Sequence, residues 1–330
     1  MLILSERTLA LHYGMPQATA DLRAALLAEH AGAVLNPPRT VLDVPESRAS
    51  ALYMPAALRP AGQSGALAVK VVTIYPGNPA QGRPTTQGVT LLSDAATGEH
   101  LALLGASYLT RLRTGAVSAL AAEALARPQA ASLAVIGTGA MAHEQVLGLL
   151  AVRPVQKLFL YNPGRSRCEA FARTWQRLRP DLNIALCSTP EEAVAQAELV
   201  VCATRSSTPV FQGTALRPGT HITAVGSYLP SMRELDLDTL RRTDKVVVDT
   251  LEGTREEAGE LLYAQEKGVW SFAELHAELP ALVAGARAGR ENEAEITLFK
   301  CVGTAYFDLA VALGAYQLAR EQGLGIEAEV

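Results

Sequence analysis

Three basic side chains stand in surroundings that are otherwise apolar: Arg39 directly after Pro37-Pro38, Lys70 in the run Ala66-Leu-Ala-Val-Lys-Val-Val72, and Arg113 in Leu112-Arg-Thr-Gly-Ala-Val117. A lysine in the middle of an alternating run either points to solvent or meets an anion, because burial disfavours an unpaired ammonium and drives off its proton. Taken singly, each of the three fits a structural role. Taken together they suggest a pocket for a small carboxylate.

A second pattern points to a larger anion. Ser132-Leu-Ala-Val-Ile-Gly-Thr-Gly-Ala-Met-Ala142 places a glycine turn between an apolar strand and a helix expected to begin near Ala140. About twenty residues on, Leu158-Phe-Leu-Tyr-Asn162 ends a second strand, the spacing of a dinucleotide site. Gly137 allows the sharp turn, Gly139 lacks the Cβ that would block a pyrophosphate, and Ala142 permits close helix–strand packing. Thr138, Ala140 and Met141 complete the turn, and free N–H groups at the helix start suit phosphate oxygens. The glycine pattern alone is a weak signal, but the strand before it, the helix after it and the second strand on schedule point to a nicotinamide or flavin nucleotide.

The end of that second strand refines the cofactor. NAD sites usually place Asp or Glu there, whose carboxylate takes the ribose hydroxyls and repels a 2′-phosphate. Here Asn162-Pro-Gly-Arg165-Ser166-Arg167 offers an amide, two guanidiniums and a hydroxyl, and a guanidinium fork pairs well with phosphate oxygens. NADPH is favoured, with NADH possible. The plainer alternative makes Arg165 and Arg167 only a solvated first helical turn.

Other chemistries lack their residues. There is no Gly-x-Ser-x-Gly elbow, no Walker lysine after the glycine turn and no evident Cys–His pairing. His12, His30, His100, His143, His221 and His276 are scattered without an HxxxH pair, and Cys168, Cys187, Cys202 and Cys301 show no CxxC spacing, so neither a metal nor a disulfide is expected. A formal charge of −4 leaves no general attraction to nucleic acid or an anionic membrane, which makes a small molecule the expected partner. No apolar run has transmembrane length, and Met1-Leu-Ile-Leu-Ser-Glu-Arg7 lacks the charged-then-apolar order of a signal peptide, so the chain reads as cytoplasmic.

The elements that must position these residues form two groups. Strands at 157–161, 183–186, 199–203, 221–225 and 245–249 alternate with helices from 166 to about 178 and after Pro190, where Thr189 caps and proline takes the first helical position. That alternation implies an α/β fold with a Rossmann-type, doubly wound parallel sheet. Before it, a helix over 18–29 and extended runs at 40–44, 51–54, 66–74, 88–93 and 101–105, with turns dense in Pro and Gly, imply an antiparallel or mixed sheet. The segment 297–321 reads as one or two helices returning to that first domain. The expected organisation is an α+β domain over 1–118 with 304–330, and a dinucleotide-binding domain over 119–303.

Several stretches together resemble the ornithine cyclodeaminase/μ-crystallin family from about residue 35 to the end. They are Pro38-Arg39-Thr40, Tyr53-Met54-Pro55-Ala56, Val69-Lys70-Val71 with Gly77-Asn78-Pro79, Leu109-Thr-Arg-Leu-Arg113-Thr114, Ile136 to Ala142, Ala224-Val-Gly226 with Pro230 and Arg233-Glu-Leu-Asp236, and Ile296 to Gly303. The resemblance implies a homodimer whose α+β domain serves substrate binding and dimerisation. It implies that Arg39, Lys70 and Arg113 hold the substrate carboxylate, that Thr85 and Arg113 lie near the cofactor, and that Val302 lines the substrate. Thr204, Val225, Gly226 and Ser227 would line the nicotinamide half.

Two positions depart from the family's cyclodeaminases. Those enzymes carry a Glu two residues before the Met-Pro pair and an Asp two residues after the glycine of Ala-Val-Gly, where this chain has Leu52 and Tyr228. A second ammonium would lose its water without gaining a counter-ion, a penalty on the order of several kcal/mol. The expectation is therefore NAD(P)H-dependent reduction of a cyclic ketimine such as Δ1-pyrroline-2-carboxylate or Δ1-piperideine-2-carboxylate to L-proline or L-pipecolate. Lys70 is the first candidate to supply or orient the proton and Tyr228 the second, unless Tyr228 only fills space. The alternatives are an ornithine cyclodeaminase, an alanine-type dehydrogenase, and a non-catalytic NADP-binding protein.

Overall fold

A computed structural model describes residues 1–59 and 65–329. In chain order its strands are β1 (Leu2–Leu4), β2 (Val34–Leu35), β3 (Thr40–Val44), β4 (Ala49–Leu58), β5 (Ala66–Ile74), β6 (Thr86–Asp94), β7 (His100–Gly105), β8 (Ser132–Ile136), β9 (Lys157–Tyr161), β10 (Asn183–Leu186), β11 (Leu199–Cys202), β12 (His221–Ala224), β13 (Lys245–Val248), β14 (Ala277–Glu278), β15 (Thr297–Lys300) and β16 (Ile326–Glu327). The helices are α1 (Glu6–His12), α2 (Met15–His30), α3 (Ala106–Leu125), α4 (Ala142–Val152), α5 (Arg165–Leu178), α6 (Pro190–Val194), α7 (Leu237–Arg242), α8 (Leu251–Glu257), α9 (Gly259–Glu266), α10 (Leu279–Val283) and α11 (Ala305–Gln322). Two compact units divide them: Met1–Arg113 with Thr304–Val330, and Thr114–Gly303.

In the first unit the sheet runs β16-β1-β7-β6-β5-β4-β2, with β3 also paired to β4. It is mixed, because β1 and β7 are parallel while β4, β5, β6 and β7 form an antiparallel meander. Along β5, Ala66, Ala68, Lys70 and Val72 are buried while Leu67, Val69 and Val71 are more open, the period-two pattern of a strand with one covered face. The cover includes α11, which packs on β4, β5, β6 and α2. Gly323 ends α11 at φ +65, a left-handed cap that a side chain with a Cβ disfavours.

The second unit is a parallel sheet of order β10-β9-β8-β11-β12-β15-β13-β14. Every residue of β8 is buried, and its side chains alternate between two cores. Leu133 and Val135 join the core of α4 and α5 with Val146, Leu149 and Trp175; Ala134 and Ile136 join that of α6, α7 and α9 with Val194, Leu240 and Leu261. Burial on both faces is why the parallel strands are continuous apolar runs. The strand order reverses between β8 and β11, where open parallel sheets bind ligands at their carboxyl ends.

Two expectations are corrected. Residues 297–300 are not helical: β15 lies between β12 and β13, fully buried and hydrogen-bonded on both sides. Four residues, Thr297-Leu-Phe-Lys300, are too few to show a period that separates strand from helix, and only the two neighbouring ladders decide it. The helix after the glycine turn begins at Ala142, because Gly139, Ala140 and Met141 form a turn with Met141 as N-cap. Among the described residues no helix is long and apolar enough to cross a membrane.

Candidate active site

The first unit builds a buried ion cluster. Lys70 lies on the covered face of β5, level with Met54 on β4 and Thr90 on β6. The first turn of α11 brings Asp308 onto the same face. Lys70 Nζ donates to Asp308 Oδ2 at 2.6 Å, and Arg113 Nε donates to Asp308 Oδ1 at 3.2 Å. All three side chains are at least nine-tenths buried. Arg113 keeps Nη1 buried and without a hydrogen-bond partner among the described residues.

The charges oppose one another. Burial pulls the Lys70 ammonium down to about 8; Asp308 works against that shift, while Arg113 and Arg39 add to it. Burial pushes the Asp308 carboxyl up, but Arg113, Lys70 and Arg39 outweigh it and hold the group below the usual carboxylate range. Three cations thus act on the one carboxylate of Asp308, two of them, Lys70 and Arg113, buried beside it, which favours the approach of a further anion. Asp308 is a carboxylate that sequence reasoning did not count. It is committed to Lys70 and Arg113, so it is not a counter-ion left open for a second substrate ammonium. Leu52 is buried two residues along β4 from Met54 and therefore on the same face. Thr85 is half-buried in the β5–β6 loop, its carbonyl accepting from the Tyr75 N–H at 2.8 Å.

The second unit places the glycine turn at the switch point. Gly137 has φ +92, and a Cβ there would lie 2.6 Å from Thr204 Cγ2 and 3.0 Å from the Ala203 carbonyl, so the turns after β8 and β11 meet where only glycine fits. Gly139, by contrast, has nothing within 4 Å of its Cβ position, which leaves the turn's backbone open to a ligand. Asn162 braces the turn: Oδ1 accepts from the Thr138 N–H at 3.3 Å and Nδ2 donates to the Gly164 carbonyl at 3.0 Å. Arg165, Ser166 and Arg167 are exposed in the first turn of α5, and Arg165 pairs with Glu169 at 3.3 Å. Such an exposed pair contributes little and yields readily to a stronger anion.

Buried carboxylates hold the remaining loops. Glu234 accepts from the Thr204 N–H at 2.6 Å and hydroxyl at 2.8 Å through one oxygen, and from the Gly226 and Ser227 N–H groups at 2.7 and 3.3 Å through the other. It therefore ties the turn after β11 to the turn after β12. Burial raises its carboxyl above the usual range, against the pull of Lys300. Lys300 donates to the Ser227 carbonyl and hydroxyl and pairs with Glu260 at 3.0 Å, while the Ser227 hydroxyl donates to Glu260. Asp249 accepts from the N–H groups of Val302 and Gly303 at 3.0 and 2.6 Å, fixing the loop after β15. Ser227, expected to line the nicotinamide half, has its N–H, carbonyl and hydroxyl all committed to protein partners. Tyr228 is half-buried, and its hydroxyl accepts from Arg205 Nη2 at 2.9 Å.

Lys70, Arg113 and Arg39 thus gather around one carboxylate in the first unit. Thr138 to Met141, Asn162, Thr204, Val225 to Ser227 and Val302 all stand at the carboxyl ends of the second unit's parallel strands. Sequence reasoning missed Asp308, Glu234, Asp249, Glu260 and Arg205. Glu234 lies inside the quoted Arg233-Glu-Leu-Asp236 stretch, but nothing in its spacing separates a buried clamp from a surface acid.

These residues fit a dinucleotide. A positive-φ glycine, an open backbone at Gly139 and a buried Thr138 hydroxyl without a partner among the described residues leave donors available at the turn. A doubly wound parallel sheet with that turn at its switch point defines a dinucleotide-binding protein of Rossmann type. The chain belongs to the ornithine cyclodeaminase/mu-crystallin family, whose model matches residues 2–323. It is 39% identical over 325 residues to a Δ1-pyrroline-2-carboxylate reductase of Bacillus cereus, covering 98% of each chain. It superposes with a TM-score of 0.94 on the Thermococcus litoralis Δ1-pyrroline-2-carboxylate reductase in complex with NADH and L-proline, at 35% identity and covering 99% of this chain and 100% of that one. An archaeal alanine dehydrogenase dimer with bound NAD matches with a TM-score of 0.92 and 31% identity, covering 100% and 99%.

Proposed function

We propose that this protein is an oxidoreductase that reduces a cyclic ketimine carboxylate, Δ1-pyrroline-2-carboxylate or Δ1-piperideine-2-carboxylate, to L-proline or L-pipecolate. The observation that carries the reading is the buried cluster of Lys70 and Arg113 on Asp308, in which Arg113 Nη1 has no hydrogen-bond partner among the described residues. One substrate carboxylate would accept from that nitrogen and balance one of the two buried cations. The relatives from Bacillus cereus and Thermococcus litoralis support the same substrate class.

When bound, a reduced nicotinamide supplies the hydride equivalent. Gly137 to Met141 would hold its pyrophosphate, and the loops clamped by Glu234 and Asp249 its nicotinamide half. Arg113 and Arg39 orient the carboxylate, and Lys70 places a proton within reach of the imine nitrogen. NADPH is the preferred cofactor on this reading, supported by the uncharged Asn162 at the end of β9 and by Arg165 and Arg167 beside it. Tyr228 serves as a neutral wall. Arg205 on its hydroxyl supplies positive charge where the family's cyclodeaminases place a carboxylate, which disfavours a diamino acid substrate.

A homodimer fits the outer face of the first unit's sheet. Tyr53, Val71 and Val89 stand in one register row there, and Tyr53, Leu67 and Val89 are exposed. An apolar surface of this kind marks a protein contact. The deciding experiment follows NADPH and NADH oxidation with five- and six-membered cyclic imines beside an ornithine control. No oxidation by protein that binds the cofactor refutes the reductase reading, and ammonia release from ornithine with catalytic NAD establishes a cyclodeaminase instead.

A further inference from the structure

We propose that Asp308 is a positioning residue for this reaction, holding the Lys70 ammonium charged and aimed and fixing Arg113 so that Nη1 is left for the substrate. The inference rests on the reductase reading and names a residue that reading does not require. Asp308 divides its two oxygens between the two cations, Oδ2 to Lys70 Nζ at 2.6 Å and Oδ1 to Arg113 Nε at 3.2 Å. An ammonium that donates at a fixed position cannot rotate freely, so its remaining protons point in fixed directions. Arg113, held through Nε, keeps Nη1 buried and without a hydrogen-bond partner among the described residues.

The surroundings leave this task to Asp308. On the strands beside Lys70 the register partners are Met54 and Thr90, neither charged. The other charged groups acting on Lys70 are Arg113 on α3 and Arg39 before β3, and both disfavour its proton. Asp308 on α11 is the one anion opposing them among the groups that shift Lys70. Reduction adds a hydride to the imine carbon and a proton to its nitrogen as the C=N π bond is lost; a bound reduced nicotinamide would supply the hydride, and Lys70 Nζ gives the proton. The product is a secondary amine, and neutral Lys70 recovers its proton from solvent.

The chain has five lysines, so protein labelled with [13Cε]-lysine allows Lys70 to be titrated directly without cofactor, its signal assigned by absence in Lys70→Met. In Asp308→Asn the Lys70 midpoint falls by at least about one pH unit, the scale of losing one opposite charge at contact, and the basic limb of kcat/KM moves with it. Asp308→Glu keeps the wild-type midpoint but lowers kcat, because the charge stays while the ammonium shifts. Arg113→Gln raises the midpoint, which tests the same balance should Asp308→Asn fail to fold. A Lys70 midpoint unchanged in Asp308→Asn or Arg113→Gln overturns the proposal; a merely structural Asp308 would lower thermal stability without moving it. If wild-type protein reduces no cyclic imine while these midpoints move as described, the reductase reading fails and the electrostatic role of Asp308 stands.

Discussion

Replacing Glu234 by Gln tests whether the loops after β11 and β12 act as one clamped surface. The side chain is fully buried, and its two oxygens serve three N–H groups and one hydroxyl. A glutamine satisfies the Gly226 and Ser227 N–H pair with its carbonyl oxygen, which turns its amide nitrogen toward Thr204. The Thr204 hydroxyl can reverse and accept, but the Thr204 N–H then faces another donor. One buried N–H left without a partner costs about 1–3 kcal/mol, and losing the ionic character of the other bonds adds about 1 kcal/mol more. Relief of the desolvation that raises the Glu234 carboxyl offsets part of this, leaving a net loss of about 2–3 kcal/mol. If half of that is expressed as disorder of the two turns, cofactor binding weakens roughly five- to fifteen-fold. Fluorescence titration with NADPH measures the affinity, and urea denaturation of the cofactor-free protein measures the stability. Affinity and midpoint both matching wild type would refute the clamp.

Three further outcomes are expected. Lys70→Met abolishes turnover while NADPH still binds, and in the wild type kcat/KM falls about tenfold per pH unit above pH 8, because the protonated amine, whose midpoint burial lowers to about 8, is the form that donates; a flat profile from pH 7 to 10 contradicts the role. Asn162→Asp keeps the acceptor for the Thr138 N–H but adds a charge that repels a 2′-phosphate, so the ratio of kcat/KM for NADPH over NADH drops by at least about tenfold; an unchanged ratio removes the case for NADPH preference. Tyr228→Asp alone gives no ornithine turnover, because Arg205 pairs with the new carboxylate, whereas adding Arg205→Ala frees it; ammonia release by the single variant shows that Arg205 does not govern this position.

Local chemistry was legible in the residues themselves. Gly137 and Gly139 could be read because a tight turn and a close phosphate approach each demand a missing Cβ, and that demand is met by residue type at fixed spacing. The strands β4 to β7 and β8 to β13 could be read because burial on one or two faces writes itself as alternation or as a short apolar run. The basic residues Arg39, Lys70 and Arg113 stood out because charge inside apolar sequence is costly and needs a reason.

What answers those charges was decided only by the tertiary structure. Asp308 lies 238 positions from Lys70 in sequence, and no local pattern links them. Glu234, Asp249 and Glu260 look like any other acids along the chain, and only folding shows which carboxylates are buried against backbone N–H groups. The strand at Thr297–Lys300 is the same case in backbone form, since its identity depends on the ladders of β12 and β13 at its sides. Residue types and periods report a side chain's needs; the three-dimensional fold alone chooses the distant partner that meets them.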